Sequence, residues 1–213
     1  MIVYKLTDEN LQTRNGFQYE LGVEARATGD GTRLCSDGVL HVYESLEQAA
    51  LMSPLHMVAR YTVALQCEGE PVSRDWGKFG CKSLTPIRVV DRIKLTTEQR
   101  VAVAILAVKD CSVPIQWCQW AYSWLNNTDR SADSAYTAAR EASRAESWAA
   151  VIAAETAADA VTVSVLGLRL SDGWCARRAA EAVVMAKVVN ITSVVRDVLD
   201  TPESKWSGLF RLS

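Results

Sequence analysis

Cys35 and His41 are the two residues whose types and spacing come nearest to nucleophilic chemistry in this sequence. A turn between them would let the imidazole act as a base towards the thiol, which is how a cysteine nucleophile is activated. Tyr43 follows His41 by two residues, so in a strand both side chains point to one face. Glu68 and Glu70 share a face of a later strand, where paired carboxylates can perform acid–base work. No neighbouring residue is placed to orient the imidazole, so no catalytic residue is assigned, and His41, Tyr43 and Glu68 remain candidates.

His41 also has a structural interpretation, which we favour. It lies in an apolar strand in which Val39, His41 and Tyr43 point together. If that face is core, a neutral imidazole bonded to a backbone carbonyl accounts for the residue. A change of His41 to Gln would then lower stability without removing a specific function.

The composition narrows the classes of partner. The 213 residues carry a formal net charge of -2 with acids and bases interspersed, so no basic face is available for nucleic acid. The longest apolar run is too short to cross a bilayer. Six cysteines occur without a C-x-x-C pair or a secretory signal, which predicts free thiols in the cytoplasm. His56 is the second of only two histidines, and we expect neither a metal nor a cofactor.

The hydrophobic rhythm changes near Lys94 and predicts two domains, at residues 1–94 and 95–213. The first is a small, mostly antiparallel sheet with one short helix at 46–52, which begins at a capping box of Ser45 and Gln48. The strands are predicted at residues 2–6, 17–21, 39–43, 58–67, 77–83 and 87–93. The second domain is an all-α bundle or hairpin, so the fold class is α+β.

The second domain opens with another capping box, formed by Thr96 and Gln99, before a helix to about residue 108. Asp129 is predicted to cap a helix in which alanine recurs on one face from 132 to 160, and alanine lets helices approach closely. Asp172-Gly173 is predicted to break the pattern before it resumes over 174–198 in an antiparallel hairpin.

Five residues of this helical part are candidate binding residues. Trp117, Trp120 and Trp124 recur at helical spacing as one stripe, which we interpret as core, with a partner-binding or base-stacking surface as the alternative. Arg140 and Arg144 line the polar side of the alanine-rich helix. That side is interpreted as a solvated face, with a recognition surface as the alternative.

Residues 16–22 read GFQYELG, and Cys35, Gly38 and His41 follow. In this combination the N-terminal part resembles an uncharacterised small domain of bacteriophage and prophage proteins, in which a G-F-Q-Y-E-x-G segment precedes a cysteine, a glycine and a histidine. The alanine-rich part resembles helical proteins classed as immunity proteins. The resemblance implies a phage-encoded accessory protein and brings no established activity with it.

Three functions follow as expectations. The first is an accessory protein in the cytoplasm of a bacterial host that binds a host or phage protein and inhibits a defence system, as anti-CRISPR proteins do. The second is an enzyme, because the GVLHVYESLEQA passage resembles the ADP-ribosyltransferase fold, which implies NAD bound near Tyr4, His41, Tyr43 and Glu68. The third is a self-associating structural or virion protein whose alanine face meets its copy.

Overall fold

The chain consists of two compact units, Met1–Lys94 and Leu95–Ser213. The computed structural model describes residues 1–13, 16–52, 61–75, 78–166, 171–186 and 190–210. The first unit is built on an antiparallel sheet and the second is helical, which confirms the predicted α+β class. His56 and the predicted strand positions 58–60 and 77 lie outside the described residues.

Five described strands and one short helix form the first unit. The strand order is β1-β4-β5-β2, β3 pairs with β5 beside β2, and every pairing is antiparallel. The elements are β1 (Ile2–Thr7), β2 (Ala25–Arg26), β3 (Leu40–Val42), α1 (Leu46–Met52), β4 (Val63–Asp75) and β5 (Lys78–Asp91).

The sheet curls until its two sides meet. Tyr4 of β1 and Tyr43, just after β3, exchange two backbone hydrogen bonds of 2.8 and 2.9 Å. Strand β3 is therefore bonded to β5 on one side and reaches β1 at its end, which covers an edge that would otherwise remain open. The apolar side chains turned inward form the core of this unit, with Val3, Val42, Leu65, Cys67 and Cys81 at its centre.

Helix α1 begins close to the predicted capping box. The Ser45 hydroxyl accepts from the Gln48 amide at 3.1 Å, as predicted. The Gln48 side chain, however, accepts from the amide of Glu44 at 2.7 Å, one residue before the cap. The helix bounds agree with the predicted 46–52.

One strand prediction is wrong, and two others merge into one strand. Residues 17–21 form no strand beyond an isolated bridge between Gln12 and Gln18, because Gly16 and Gly22 have φ of +73° and +77° and turn the chain on both sides. The predicted strands 77–83 and 87–93 are parts of the single strand β5. Pro86 sits within it opposite Cys67, where a register shift in β4 accommodates the missing N–H.

The second unit is a succession of helices. Thr96 and Gln99 form the predicted capping box, with reciprocal bonds of 3.1 and 2.9 Å. The helices are α2 (Thr97–Val108), α3 (Ile115–Leu125), α4 (Ala132–Arg144), α5 (Trp148–Leu166), α6 (Ser171–Met185), α7 (Ile191–Asp200) and a closing 3₁₀ helix (Glu203–Leu209). Among the described helices, none combines the length and the apolar character needed to span a bilayer.

The alanine-rich run does not form one helix. Glu146 adopts φ of +56°, a left-handed conformation that ends α4 before α5 begins. Ser131 rather than Asp129 is the cap of α4, and its hydroxyl accepts from the Ser134 amide at 3.3 Å. The predicted break at Asp172-Gly173 lies in the first turn of α6, where both residue types are tolerated. The predicted helix 174–198 is two helices, α6 and α7, and residues 187–189 between them are not described.

Small side chains set the packing of this unit. Helix α5 contacts α4 on one side and α6 on another. Ala142 of α4 and Ala150, Ala153 and Ala154 of α5 are fully buried, so the helices meet without long side chains between them. The alanine face is therefore covered within the unit.

Enlarging a buried alanine tests this packing. We expect Ala142→Leu to lower the free energy of unfolding by about 1–3 kcal/mol, because the added carbons have no space between close helices. Urea unfolding followed by circular dichroism measures the change. The control is Ala145→Leu at an exposed position three residues later, and an equal loss in both variants would contradict the packing argument.

Candidate ligand-binding site

A cleft of about 710 Å³ opens in the first unit, on the side where β1 and β3 meet. Its walls come from β1, from residue 13 and residues 16–19, from the loop 27–37, from β3 and from the start of β5. The wall includes two amines, a thiol and an imidazole, from Lys5, Lys78, Cys35 and His41. Aromatic side chains contribute Phe17, Tyr19, Tyr43 and Tyr61.

The loop that carries Cys35 is fastened to the sheet by a lysine. Lys82 of β5 donates to the carbonyls of Gly29, Asp30 and Gly31 at 3.2, 2.7 and 2.7 Å. The far end of the loop packs back on the same residues, because a Cβ added to Gly38 would lie 2.1 Å from the Gly31 carbonyl oxygen. Only glycine fits there, and the loop is held closed at its base.

Cys35 and His41 meet in this cleft, though not as a thiol and its base. The Cys35 backbone N–H donates to His41 Nε2 at 2.7 Å, and Cys35 has φ of +62°. The lone pair of Nε2 is thereby used by an amide, and a neutral ring carries its proton on Nδ1. The carbonyl partner predicted for the imidazole would have to be bound by the Nδ1–H, since Nε2 accepts its hydrogen bond from a backbone amide.

The Cys35 thiol contacts a lysine instead. Its Sγ lies 3.0 Å from Nζ of Lys78, a residue 43 positions later in the chain. Cys35 is exposed and Lys78 is half-buried. The thiol and the amine thus stand together at the surface of the cleft.

His41 is neutral at pH 7. Burial lowers its pKa from 6.5 to about 4, and the positive charges of Lys78 and Lys5 act in the same direction. The imidazole therefore serves as a fixed acceptor for the Cys35 amide across the physiological range.

Lys5 is a poorly hydrated cation on the inward face of β1. Its ammonium donates to the His41 carbonyl at 2.8 Å and lies 5.8 Å from the centroid of the Tyr19 ring. Burial lowers its pKa from 10.5 to about 8, while the neighbouring thiols of Cys67 and Cys81 act in the opposite direction. At pH 7 the Lys5 side chain is charged in most molecules, although little water can reach it. An anionic ligand would stabilise this charge.

The other sequence candidates separate into two groups. Tyr43 lines the cleft with 7% of its surface exposed, and burial raises the pKa of its phenol. Glu68 is exposed on β4 opposite Ile2 and Thr85 and does not line the cleft, and Glu70 is exposed beyond it. The structure therefore gathers Cys35, His41 and Tyr43 and leaves the carboxylates outside.

The candidate binding residues of the helical unit also separate. Trp117, Trp120 and Trp124 are 0%, 7% and 3% exposed, so they form core and not a docking surface. Trp117 donates its indole N–H to the Ala150 carbonyl of α5 at 2.9 Å. Arg140 and Arg144 are exposed on α4, bonded to Thr137 and Glu141 on the same helix.

Sequence reasoning missed both lysines of the cleft. Lys5 carried a signal, since Val3 and Lys5 share a face of β1 and a lysine on the face of a buried valine is unusual. Lys78 carried none, because its approach to Cys35 depends on strand register and loop closure. Among the described residues, no group of three or more histidine, cysteine or acidic side chains could hold a metal ion.

The cleft lies within a part of the chain that matches a family model. Residues 1–98 match the family model of a domain of unknown function, DUF7666. Neither a curated protein nor a solved structure matches the sequence. The DUF7666 region includes every residue of the cleft, so the geometry described above is the evidence on which a function of this region rests.

The depressed pKa of His41 predicts an acid-sensitive unit. Between pH 6.5 and 4 the unfolded chain binds a proton that the folded ring does not, so stability is fully present above pH 6.5 and falls as the pH decreases towards 4. Solvent screens the half-buried ring, and we expect a loss of about 1–2 kcal/mol over this range. His41→Gln, which has no proton to gain, should remove this part of the slope. Urea titrations at constant ionic strength measure both slopes, and equal slopes would show that another group is responsible.

Proposed function

We propose that the N-terminal unit binds a small anionic ligand with a planar ring, of which nucleotides such as NAD are the natural class. The observation that carries the proposal is the cleft in which Lys5 and Lys78 stand beside a neutral imidazole and several aromatic rings. Lysine ammonium groups recognise phosphate, and aromatic faces stack on bases.

The charges lining the cleft support an anion. The lining includes two lysines, Lys5 and Lys78, and one carboxylate, Asp37. The Asp37 carboxylate packs against Gly29, where an added Cβ would lie 2.4 Å from its oxygen. Each ammonium has three N–H donors. One donor of Lys5 is used on the His41 carbonyl and one of Lys78 faces the Cys35 thiol, which leaves donors for a ligand.

Binding is proposed here without ribosyl transfer. The transferase resemblance implies a glutamate that stabilises the reacting ribose, and Glu68 was the residue expected to do so. Because Glu68 lies outside the cleft, the part of that expectation we retain is recognition of the nucleotide by Lys5, Lys78 and the aromatic rings.

Titration calorimetry with ADP, NAD and adenosine tests the proposal. We expect ADP and NAD to bind, adenosine to bind much more weakly, and Lys78→Ala to weaken ADP binding about tenfold, because a lost charge-assisted bond changes the affinity by about that factor. Lys78→Arg keeps the charge and should retain most of the affinity. Lys109→Ala, exposed in the helical unit, is the control. Equal binding of adenosine and ADP, or no binding of either, would refute an anion site.

A second role concerns the helical unit and one stripe on α4. Tyr136, Arg140 and Arg144 follow one another at intervals of four residues and are all exposed, Tyr136 by 43%. Tyrosine and arginine are the residue types that dominate binding energy at protein interfaces. This stripe supports binding of a host or phage protein. The further expectation, a phage-encoded accessory protein that acts on a host defence system, comes from the resemblance of the sequence and is proposed with it. A second copy of the chain would need such a surface too, since the alanine face is already covered.

Reversing the charge of the stripe tests this role. Immobilised wild-type chain should retain one partner in stoichiometric amount from a lysate of a bacterial host, and the pair Tyr136→Ala and Arg140→Glu should lose it, because the aromatic anchor and the charge are removed together. Arg26→Glu in the other unit is the matched control, with an exposed arginine on a strand. Retention by the stripe variant would exclude this surface, and light scattering of the purified chain separates self-association from a foreign partner.

A further inference from the structure

The thiol and the amine that meet at the cleft form a site for covalent chemistry. We propose that peroxide joins Cys35 and Lys78 through one oxygen atom, giving an N–O–S bridge that regulates the cleft. The two groups come from a loop and from the first residue of β5, and Sγ lies 3.0 Å from Nζ. One bridging oxygen fits between atoms that are already at this distance.

The surrounding contacts hold both reactants in place. The Cys35 amide is bound to His41 Nε2, which fixes the residue from which the thiol projects. Lys82 fastens the start of the same loop to β5 through three carbonyls, and β5 also carries Lys78. The loop is thus bonded to β3 at Cys35 and to β5 at its start.

Cys35 differs from the other described thiols in its access to an oxidant. Cys35 is exposed, Cys67 and Cys81 are buried, and Cys111 and Cys118 are half-buried. Burial raises the pKa of the Cys111 and Cys118 thiols, which disfavours the reactive thiolate. The half-buried cysteines therefore serve as internal comparisons.

The reaction consumes two molecules of peroxide. The first oxidises the thiol, breaking the S–H and O–O bonds and forming S–OH and one water. In the second step an N–H bond of the neutral amine and the O–H bond of the sulfenic acid break, and an O–N bond forms. The O–O bond of the second peroxide breaks, and its two oxygens leave with the two hydrogens as two waters. Each peroxide accepts two electrons, so thiol, amine and two peroxides give the bridge and three waters.

The bridge changes the cleft in a defined way. The Lys78 nitrogen then carries an oxygen substituent, is only weakly basic and loses its positive charge. The loop also becomes covalently bonded to β5. If the cleft binds an anion, as proposed above, oxidation removes one of its two cations and weakens binding. This regulatory part rests on the proposed function, whereas the formation of the bridge does not.

Mass spectrometry of the whole chain tests the bridge. After hydrogen peroxide and blocking of free thiols, we expect a cross-linked peptide that contains Cys35 and Lys78 and is about 14 Da heavier than the sum of its two parts, since one oxygen is gained and two hydrogens are lost. Dithiothreitol should release it. Cys35→Ser and Lys78→Arg should each abolish it, and Lys109→Arg should not.

Two results would overturn the bridge. One is oxidation of Cys35 to the sulfinic acid, a gain of about 32 Da, with Lys78 unmodified. The other is an equal yield of cross-link in chain denatured by urea, which would show that the folded geometry has no part in it. Titration with ADP before and after oxidation then measures whether the bridge regulates ligand binding. Weaker binding that dithiothreitol restores supports it, and unchanged binding overturns it, while ADP binding without any cross-link leaves the proposed function standing and rejects the bridge.

Discussion

The N-terminal unit depends on the two hydrogen bonds by which Tyr4 and Tyr43 close its sheet. They bring β1 beside β3, and this places Lys5 under the carbonyl of His41. Without this closure the lysine would stand on an open sheet face in water, with its ordinary pKa and without a cleft. The pairing of these two strands thereby lowers the pKa of Lys5, because water cannot hydrate an ammonium that lies among apolar side chains and a neutral imidazole.

The helical unit is organised by a different constraint, the size of its side chains. Alanine along α4 and α5 leaves the backbones near one another, and the large residues gather elsewhere, with Trp117 bonded to the carbonyl of Ala150. An indole N–H that meets a main-chain oxygen inside the unit is satisfied without water. The exposed side of α4 carries tyrosine and arginine at regular spacing, and this is the surface that we propose for another protein.

Local patterns predicted local structure well. The capping box at Thr96, the bounds of α1 and the order of a β-rich part before a helical part follow from periodicity and capping residues. The site was predicted only in part, because Cys35 and His41 are near in sequence while Lys78 reaches them through strand register. The break at Glu146 was missed for a related reason, since a left-handed residue of ordinary type leaves no glycine to mark it.

The antiparallel hairpin of β4 and β5 joins neighbouring parts of the chain, whereas β1 pairs with β4 across more than fifty residues, Thr7 with Val63. On the ribosome, β1 emerges first and its partner strand only after the intervening segment has been made. The β4–β5 hairpin can form as soon as β5 has been made, whereas β1 has to wait until β4 has been made. A nascent chain therefore carries a bare strand through much of the synthesis of this unit, and during that interval a chaperone or a neighbouring nascent chain competes for it.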